Sequence, residues 1–316
     1  IGLRYGCKHG GCGTCKAQVS AGEGDVEDAS GFALMPFERD AGMALLCTAY
    51  ALEDIVINLE SYNEEELVAA RPIRELECKV ESVAPISRDI WRLLLRVDES
   101  PFEFDAGQFV EVNVTGTDEW RAYSMANAPS DSGHIELLIK HIPGGKFSSF
   151  MAVGVADGSS LRVRGPFGQF KLNEGFAPIV MVAGGSGMAP VLSMLRALAE
   201  QRSEREIIFY YGARTKLDLI GEIEIDKVAA DLKSFVYIPV LSEADPGGCW
   251  NGETGLVTET LGKRSPKLRR SEAYLCGPPL MIDVAVKMLK ENGMFSSRIR
   301  FDKFVSTAEV SHDKYS

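Results

Sequence analysis

Four of the seven cysteines are spaced in a way that restricts what the start of this chain can fold into. Cys7, Cys12 and Cys15 follow the pattern C-x4-C-x2-C, and Cys47 lies further along the same segment. Glycine fills much of the loop between the first three, which lets the backbone pass close to a bound group. An odd cysteine count with four grouped argues against the disulfide framework of a secreted domain. The pattern therefore predicts a metal site in a reducing compartment, the cytoplasm.

The spacing also restricts the kind of metal site. C-x4-C-x2-C with a distant fourth cysteine is the ligand pattern of a plant-type [2Fe–2S] cluster. Two alternatives stay open. The Cys7-Lys8-His9 run is half of a Rieske pattern, although no histidine follows where the second half needs one. Structural zinc also uses four cysteines, normally as two close pairs. We predict Cys7, Cys12, Cys15 and Cys47 as ligands of a [2Fe–2S] cluster, with His9 a loop residue.

Chain length and net charge limit the number of domains and the kinds of binding partner that the chain can have. A chain of 316 residues exceeds one typical core and predicts two or three domains. The net charge of −11 disfavours nucleic acid and anionic membranes as partners, and no apolar run is long enough to cross a bilayer. Residues 1–69 hold twelve acidic side chains against four basic ones. This imbalance is either a solvated surface or a surface that docks on a basic partner, and the two readings are compatible.

The hydrophobic pattern changes twice along the chain. A polar stretch at 61–72 predicts a linker. Short alternating runs, separated by Gly, Pro and Asp, then predict an antiparallel barrel or sandwich. From residue 177, continuous apolar strands alternate with helical patterns, which indicates a doubly wound parallel sheet. We therefore predict three domains, with boundaries at 1–69, 73–175 and 176–316.

The second domain contains a short run with binding chemistry at the end of a strand pattern. Arg121 can pair with a pyrophosphate, Tyr123 can stack on a ring and Ser124 can hydrogen-bond a ring nitrogen. Alone, this run up to Met125 is weak evidence, because its ordinary interpretation is a strand end. Further on, a glycine-rich turn that opens a helical pattern predicts an anion site. Its candidate residues are Gly145, Lys146, Phe147 and Ser148.

The third domain has a glycine-rich turn between a strand and a helix. The pattern is G-x-G-x-x-P, which departs from the usual dinucleotide fingerprint but still brings backbone N–H groups to a helix start. Two more motifs end neighbouring strands, where parallel sheets bind ligands. The candidates are Gly184, Gly185, Gly187, Met188, Ala189 and Pro190 in the turn, Arg214 after the second strand, and Cys276, Gly277 and Pro278 after the fourth. Cys78 and Cys249 have no such context and are interpreted as structural.

Together these motifs resemble the ferredoxin–NADP reductase superfamily. The resemblance implies that Arg121, Tyr123, Ser124 and Met125 bind FAD, with Ser124 near flavin N5, and that the turn at Gly145–Ser148 holds its pyrophosphate. It implies that the glycine-rich turn binds the nicotinamide dinucleotide and that Cys276 faces the site of hydride transfer. An aromatic residue near the C-terminus should cover the flavin, and we expect Phe304 there, with Phe301 in the core. His141 is a further expected cofactor contact.

The domain order is similar to that of reductase components of multicomponent bacterial oxygenases, in particular those of soluble di-iron monooxygenases of the propane, phenol or tetrahydrofuran type. The resemblance implies a partial β-grasp [2Fe–2S] domain whose start precedes Ile1, an antiparallel β-barrel FAD domain and an α/β NAD domain. It implies electron transfer from NADH, rather than NADPH, through FAD and the cluster to an oxygenase, in a cytoplasmic monomer. A Rieske dioxygenase reductase, a haem-protein reductase with a vestigial cluster and a redox sensor without turnover remain alternatives.

Overall fold

A computed structural model describes residues 3, 10, 13–26, 33–59, 71–98, 100–145, 147, 151, 155–245, 248–264 and 268–304. The Cα positions divide the chain into two compact units. The first includes Ile1–Ile73 and the short segment Pro166–Gln169, and the second covers Arg74–Gly165 with Phe170–Phe304. Within the described residues, no helix is long and apolar enough to cross a membrane.

The first unit contains short strands around a small apolar cluster. Its elements are β1 (Lys16–Ala21), β2 (Gly24–Val26), α1 (Pro36–Asp40), β3 (Met43–Leu45), β4 (Ala49–Ala51) and β5 (Val56–Asn58). Strand β1 pairs antiparallel with both β3 and β5, while β2 pairs with β4. Cys15, Ala33, Leu34 and Leu45 are buried together. Lys16 also binds the carboxylate of Glu38 in α1 at 2.6 Å, which holds the helix against β1.

The first half of the second unit is an antiparallel sheet in the order β10-β7-β6-β11-β8-β9. Its strands are β6 (Arg74–Pro85), β7 (Ile90–Arg96), β8 (Phe109–Asn113), β9 (Trp120–Ser124), β10 (His134–Lys140) and β11 (Ser160–Phe167). In β6 the side chains of Leu76, Cys78 and Val80 are buried and their neighbours are exposed, as strand periodicity requires. A bridge between Met125 and Leu137 joins the two edges, so the sheet closes into a barrel.

The second half is a parallel sheet in the order β15-β14-β13-β12-β16-β17. Its elements are β12 (Ile179–Gly184), α2 (Met188–Glu200), β13 (Ile207–Ala213), α3 (Glu222–Asp231), β14 (Phe235–Leu241), β15 (Glu253–Thr254), α4 (Val257–Arg264), β16 (Glu272–Gly277), α5 (Pro279–Glu291) and β17 (Ile299–Lys303). Residues of α2 and α3 pack in one apolar cluster, and those of α4 and α5 in another. The helices therefore cover both faces of a doubly wound sheet, and the strand order reverses beside β12.

The barrel and the parallel sheet share one apolar cluster within the second unit. Ala126 and Leu138 of the barrel are buried with Met188 and Leu192 of α2. Helix α2 also hydrogen-bonds the barrel, because Ser193 Oγ donates to the carbonyl of Asn127 at 2.7 Å. This packing places the carboxyl ends of the parallel strands next to the barrel.

The architecture confirms the expected antiparallel barrel and doubly wound sheet. Sequence patterns did not predict α3, α4 or the two-residue β15. In α3 the first four residues alternate strictly between acidic and apolar, which is not the period of a helix. The expectation that Phe301 belongs to the core is wrong. Phe301 lies on the edge strand β17, is 47% exposed and has the ammonium group of Lys303 5.7 Å from its ring centre. Of the two cysteines interpreted as structural, Cys78 is fully buried as expected, whereas Cys249 is exposed, contrary to that interpretation.

Candidate functional site

Two of the four predicted metal ligands are described, and they lie together. Cys15 precedes β1 and is 2% exposed, while Cys47 follows β3. The backbone joins the two loops, because the amide of Leu46 donates to the carbonyl of Cys15 at 3.1 Å. The sulfur atoms are 3.1 Å apart although 32 residues separate them along the chain. Cys7 and Cys12 lie outside the described residues, as does His9.

The geometry of this pair fits ligands of one metal better than a disulfide. A disulfide has its sulfurs about 2.05 Å apart, which is much less than 3.1 Å. Thiolates in a tetrahedron, each about 2.3 Å from a metal, stand about 3.8 Å apart. A small widening of the Cys15–Cys47 separation would therefore admit an iron atom of a [2Fe–2S] cluster between the two loops.

Strand β9 carries the predicted flavin-binding residues at the barrel edge. The Arg121 guanidinium binds the carboxylate of Glu119 at 2.6 Å, and both side chains are partly exposed. Tyr123 packs on Phe147 with ring centres 5.4 Å apart, and burial, opposed by the charge of Arg121, raises the pKa of its hydroxyl. Ser124 is 6% exposed and Met125 is fully buried.

The hydrogen-bond donors on this strand are of the kinds that can bind FAD. A surface carboxylate such as Glu119 can be exchanged for a pyrophosphate, which offers the guanidinium more acceptor oxygens. The loop that follows β10 is the second predicted part of the FAD site. The amide of His141 donates to the carbonyl of Asp89 at 2.6 Å, and that of Gly145 to Ile142 at 2.8 Å. Lys146 and Ser148 lie outside the described residues, so their part in the predicted pyrophosphate site stays a prediction.

The glycine-rich turn lies at the carboxyl end of β12, where α2 begins at Met188. Gly185 has a φ of +57°, and a Cβ there would meet no atom within 4 Å, so open space lies in front of it. A Cβ on Gly187 would instead stand under 3.0 Å from the backbone of Cys276. Ala189 and Pro190 are buried in the first turn of α2. The turn is thus packed tightly behind and open in front, as a site for a pyrophosphate requires.

The second turn of this site follows β16 and interlocks with the first. Ala183 pairs with Cys276 across the strands, and Pro278 precedes α5. Cys276 is fully buried, and this burial, with a smaller contribution from Asp302, raises the pKa of its thiol well above the ordinary value. The thiol therefore stays neutral and packs behind the turn, and its expected contact with nicotinamide stays a prediction.

Phe304 follows β17 and returns to the same turn. Its amide donates to the carbonyl of Gly277 at 2.9 Å, and its side chain packs on the apolar cluster shared by barrel and sheet. This places Phe304 beside Gly277 at the carboxyl edge of the sheet. The position agrees with the aromatic residue expected to cover the flavin, whose role stays a prediction.

Arg214, after β13, belongs to an ionic cluster that sequence patterns did not reveal. Its guanidinium lies 3.1 Å from Asp89 and 3.7 Å from Asp218. Arg88 binds Asp218 through two nitrogens and Thr215 Oγ1 at 3.0 Å. Burial alone would raise the pKa of Asp218, but hydrogen bonds from Arg88 and Thr215 outweigh it and lower the pKa to about 2. Sequence patterns do not reveal the Arg88–Asp218 pair, because its partners lie 130 residues apart along the chain.

Comparison with known families covers most of the chain in three parts. Residues 1–52 match the 2Fe-2S iron-sulfur cluster binding domain. Residues 77–172 match the oxidoreductase FAD-binding domain, and residues 181–287 match the oxidoreductase NAD-binding domain. The order of these matches follows the thiol pair, the barrel and the parallel sheet described above.

Similar proteins share this organisation over nearly their whole length. The chain is 41% identical to the reductase component of propane 2-monooxygenase from Rhodococcus jostii (strain RHA1), over 98% of this chain and 85% of that protein. It is 33% identical to the reductase component of phenol 2-monooxygenase from Pseudomonas sp. (strain CF600), over 98% and 88%. The crystal structure of an Amycolatopsis cytochrome P450 reductase superposes with a TM-score of 0.87 at 34% identity, over 97% and 91%. The chain belongs to the oxygenase reductase components that join a [2Fe–2S] domain to FAD- and NAD-binding domains.

Proposed function

We propose that this chain transfers electrons from NADH, by way of bound FAD and a [2Fe–2S] cluster, to the di-iron hydroxylase of a multicomponent monooxygenase. The observation that carries the proposal is the junction at the carboxyl edge of the parallel sheet. There the glycine-rich turn at Gly185–Gly187 interlocks with the turn at Cys276, and Phe304 returns to Gly277. The barrel strand with Arg121 and Ser124 belongs to the same compact unit.

Each part of the site has a distinct task in this proposal. When bound, FAD accepts two electrons as a hydride and can release them singly to a one-electron carrier. Arg121 would hold the FAD pyrophosphate, and Ser124 would hydrogen-bond the flavin ring. Ser124 is 6% exposed, and its hydroxyl can donate a hydrogen bond to such a group. The open side of Gly185 would receive the pyrophosphate of the nicotinamide dinucleotide.

NADH is the proposed donor because Arg214, the guanidinium that directly follows β13, is already paired with carboxylates. The 2′-phosphate of NADPH would need a positive side chain at this strand end. Arg214 is placed for that role, but it lies between the carboxylates of Asp89 and Asp218. Asp218, with a pKa of about 2, stays charged at every physiological pH. The cluster therefore offers little net attraction to a further phosphate.

The proposed partner is a di-iron hydroxylase because similarity is strong to reductases of that class. The propane 2-monooxygenase reductase component is 41% identical to this chain, and the phenol 2-monooxygenase reductase component is 33% identical. A second candidate is a cytochrome P450, since a structure described as a cytochrome P450 reductase superposes with a TM-score of 0.87. The two candidates share the donor side and differ only in the acceptor.

The first experiment is an anaerobic titration of the purified protein. Flavin, iron and acid-labile sulfide are quantified, and visible spectra are recorded before and after one equivalent of NADH or NADPH. We expect one flavin and two irons per chain, with rapid bleaching by NADH and slow bleaching by NADPH. A flavin spectrum without iron, or equal rates with the two donors, would contradict the cluster or the donor assignment respectively.

The second experiment identifies the acceptor. The NADH-reduced protein is mixed with a purified di-iron hydroxylase of the propane type, an aromatic O-demethylating cytochrome P450 and a Rieske dioxygenase. Substrate turnover coupled to NADH oxidation is measured in each mixture. Turnover with the di-iron hydroxylase alone supports the proposal. Turnover confined to the P450 or the Rieske enzyme overturns the partner, and slow NADH oxidation with every acceptor indicates a sensor instead.

A further inference from the structure

The barrel contributes residues to the edge of the parallel sheet where the dinucleotide is expected. The turn between β6 and β7 is held by its own backbone, since the amides of Ile86 and Ser87 both donate to the carbonyl of Ile90 at 2.9 and 3.2 Å. From this turn Arg88 and Asp89 reach the end of β13. Each meets a side chain more than 120 residues away along the chain.

The contacts form two interleaved pairs of opposite charge. Arg88 holds Asp218 with a bidentate contact, and Asp89 holds Arg214 at 3.1 Å. Arg214 is also 3.7 Å from Asp218, so each of these arginines faces a carboxylate. Lys140 reaches Asp89 at 4.0 Å from the adjoining strand β10. Arg214 remains 55% exposed, so a ligand can still reach it.

We propose that Asp89, a residue of the FAD-binding barrel, determines the choice between NADH and NADPH by holding Arg214. The proposal rests on the proposed function, in which the dinucleotide binds at the carboxyl edge of the parallel sheet. Asp89 touches no part of the dinucleotide in this view and acts only through Arg214. Asp89 is therefore a positioning residue. In this proposal a residue of the barrel helps to set the donor selectivity of the nicotinamide-binding domain.

Two effects of Asp89 act in the same direction. Its carboxylate occupies the Nη2 atom of the Arg214 guanidinium, which could otherwise bind an oxygen of a 2′-phosphate. Its negative charge also repels that phosphate, which carries between −1.5 and −2 charges near neutral pH. NADH has a hydroxyl at this position and loses nothing from either effect. Both effects therefore weaken the binding of NADPH alone, and selectivity arises from repulsion of the wrong ligand.

The test is an isosteric change at Asp89. Asp89→Asn keeps the shape of the side chain and leaves the backbone contact from His141 to the carbonyl of residue 89 in place. We expect kcat/KM for NADPH to rise roughly tenfold, since a charge-assisted hydrogen bond is gained, while the value for NADH moves less than threefold. Asp98→Asn is the matched control, because Asp98 pairs with Arg96 at 2.7 Å on the same barrel.

A double variant tests whether Asp89 acts through Arg214. In an Arg214→Gln background, Asp89→Asn should give no further gain with NADPH, because the guanidinium that it releases is absent. A gain of equal size in that background overturns the proposal, and so does an unchanged NADPH:NADH ratio in Asp89→Asn. Melting temperatures of all variants show whether a change reflects misfolding. Failure of wild-type protein to oxidise NADH at all would overturn the proposed function, whereas the outcomes above concern Asp89 only.

Discussion

Tyr211 donates its hydroxyl hydrogen to the carbonyl oxygen of Gly185 at 3.1 Å, which connects the second parallel strand to the glycine-rich turn. Tyr211 is fully buried, and this burial raises the pKa of its hydroxyl well above the ordinary value. The group therefore stays protonated and keeps the hydrogen that it donates to Gly185. The Gly185 carbonyl also accepts the amide of Met188, so two donors fix the orientation of the turn.

Tyr211→Phe should weaken dinucleotide binding without slowing the chemical step. Loss of one buried hydrogen bond costs about 1 kcal/mol, which corresponds to a KM for NADH raised roughly three- to tenfold. Because the turn binds ground state and transition state alike, kcat should change less than twofold. Steady-state kinetics with ferricyanide as acceptor measures both constants.

Tyr237→Phe is the control for this variant. Tyr237 lies on the neighbouring strand β14, its ring centre is 5.4 Å from that of Phe209, and its buried hydroxyl has no hydrogen-bond partner among the described residues. Removing that hydroxyl should leave KM unchanged. Equal changes of KM in both variants would show that the Tyr211–Gly185 bond has no special role.

Two glycines of the turn should respond differently to alanine. In Gly187→Ala the new Cβ meets the backbone of Cys276 under 3.0 Å, so strands β12 and β16 must separate and stability should fall by roughly 3 kcal/mol. In Gly185→Ala the methyl group enters open space, and the cost is mainly the left-handed φ of +57°, about 1 kcal/mol. Its methyl group would occupy the proposed pyrophosphate position and raise KM for NADH more than tenfold.

Thermal unfolding and NADH kinetics separate these two effects. Gly116→Ala is the control for backbone strain, because Gly116 has a φ of +80° in a barrel turn and nothing within 4 Å of a Cβ. It should match Gly185→Ala in stability and retain the wild-type KM. A wild-type KM in Gly185→Ala would contradict the phosphate site at this turn.

Cys47→Ser should disconnect the acceptor from the flavin. Serine is a poorer iron ligand than the thiolate, so the variant should lose most of its iron and at least about 100-fold of its cytochrome c reductase rate. Ferricyanide reduction by NADH, which needs only the flavin, should persist. Cys249→Ser is the control, since Cys249 is exposed and belongs to the other unit. Intact cytochrome c reduction in Cys47→Ser would place the cluster off the main path.

Sequence patterns predicted the antiparallel barrel, the parallel sheet and the glycine-rich turn of the second unit because their causes are local. The buried Leu76, Cys78 and Val80 repeat with period two, and the glycines at 184–187 lie between a strand and a helix. The pairs Arg88–Asp218 and Asp89–Arg214 have no such signature, because the topology alone brings their strands to one edge. The exposure of Phe301 depends on topology in the same way. Phe301 is exposed because β17 is an edge strand, and the sequence pattern does not show which strand lies at the edge.

Cys276 provides a prediction on pH dependence. Its pKa in the folded protein is raised well above the ordinary value of a thiol by burial and then by Asp302, so the folded state favours the protonated thiol. The associated stability is present in full below the unfolded pKa and is lost as pH rises above it. We therefore expect the difference in unfolding free energy between wild type and Cys276→Ser to be constant from pH 6 to 8. It should then shift against wild type at higher pH.

Urea unfolding from pH 6 to 10.5 measures this difference. Alkylation by iodoacetamide at pH 7.5 gives an independent check, because only a thiolate reacts quickly. Exposed Cys249 should be modified in the native protein, while Cys276 should react only after unfolding. Rapid modification of native Cys276, or a stability difference independent of pH above 9, would show that the thiol ionises in the folded state. The interpretation of Cys276 as a neutral thiol packed behind the glycine-rich turn would then be wrong.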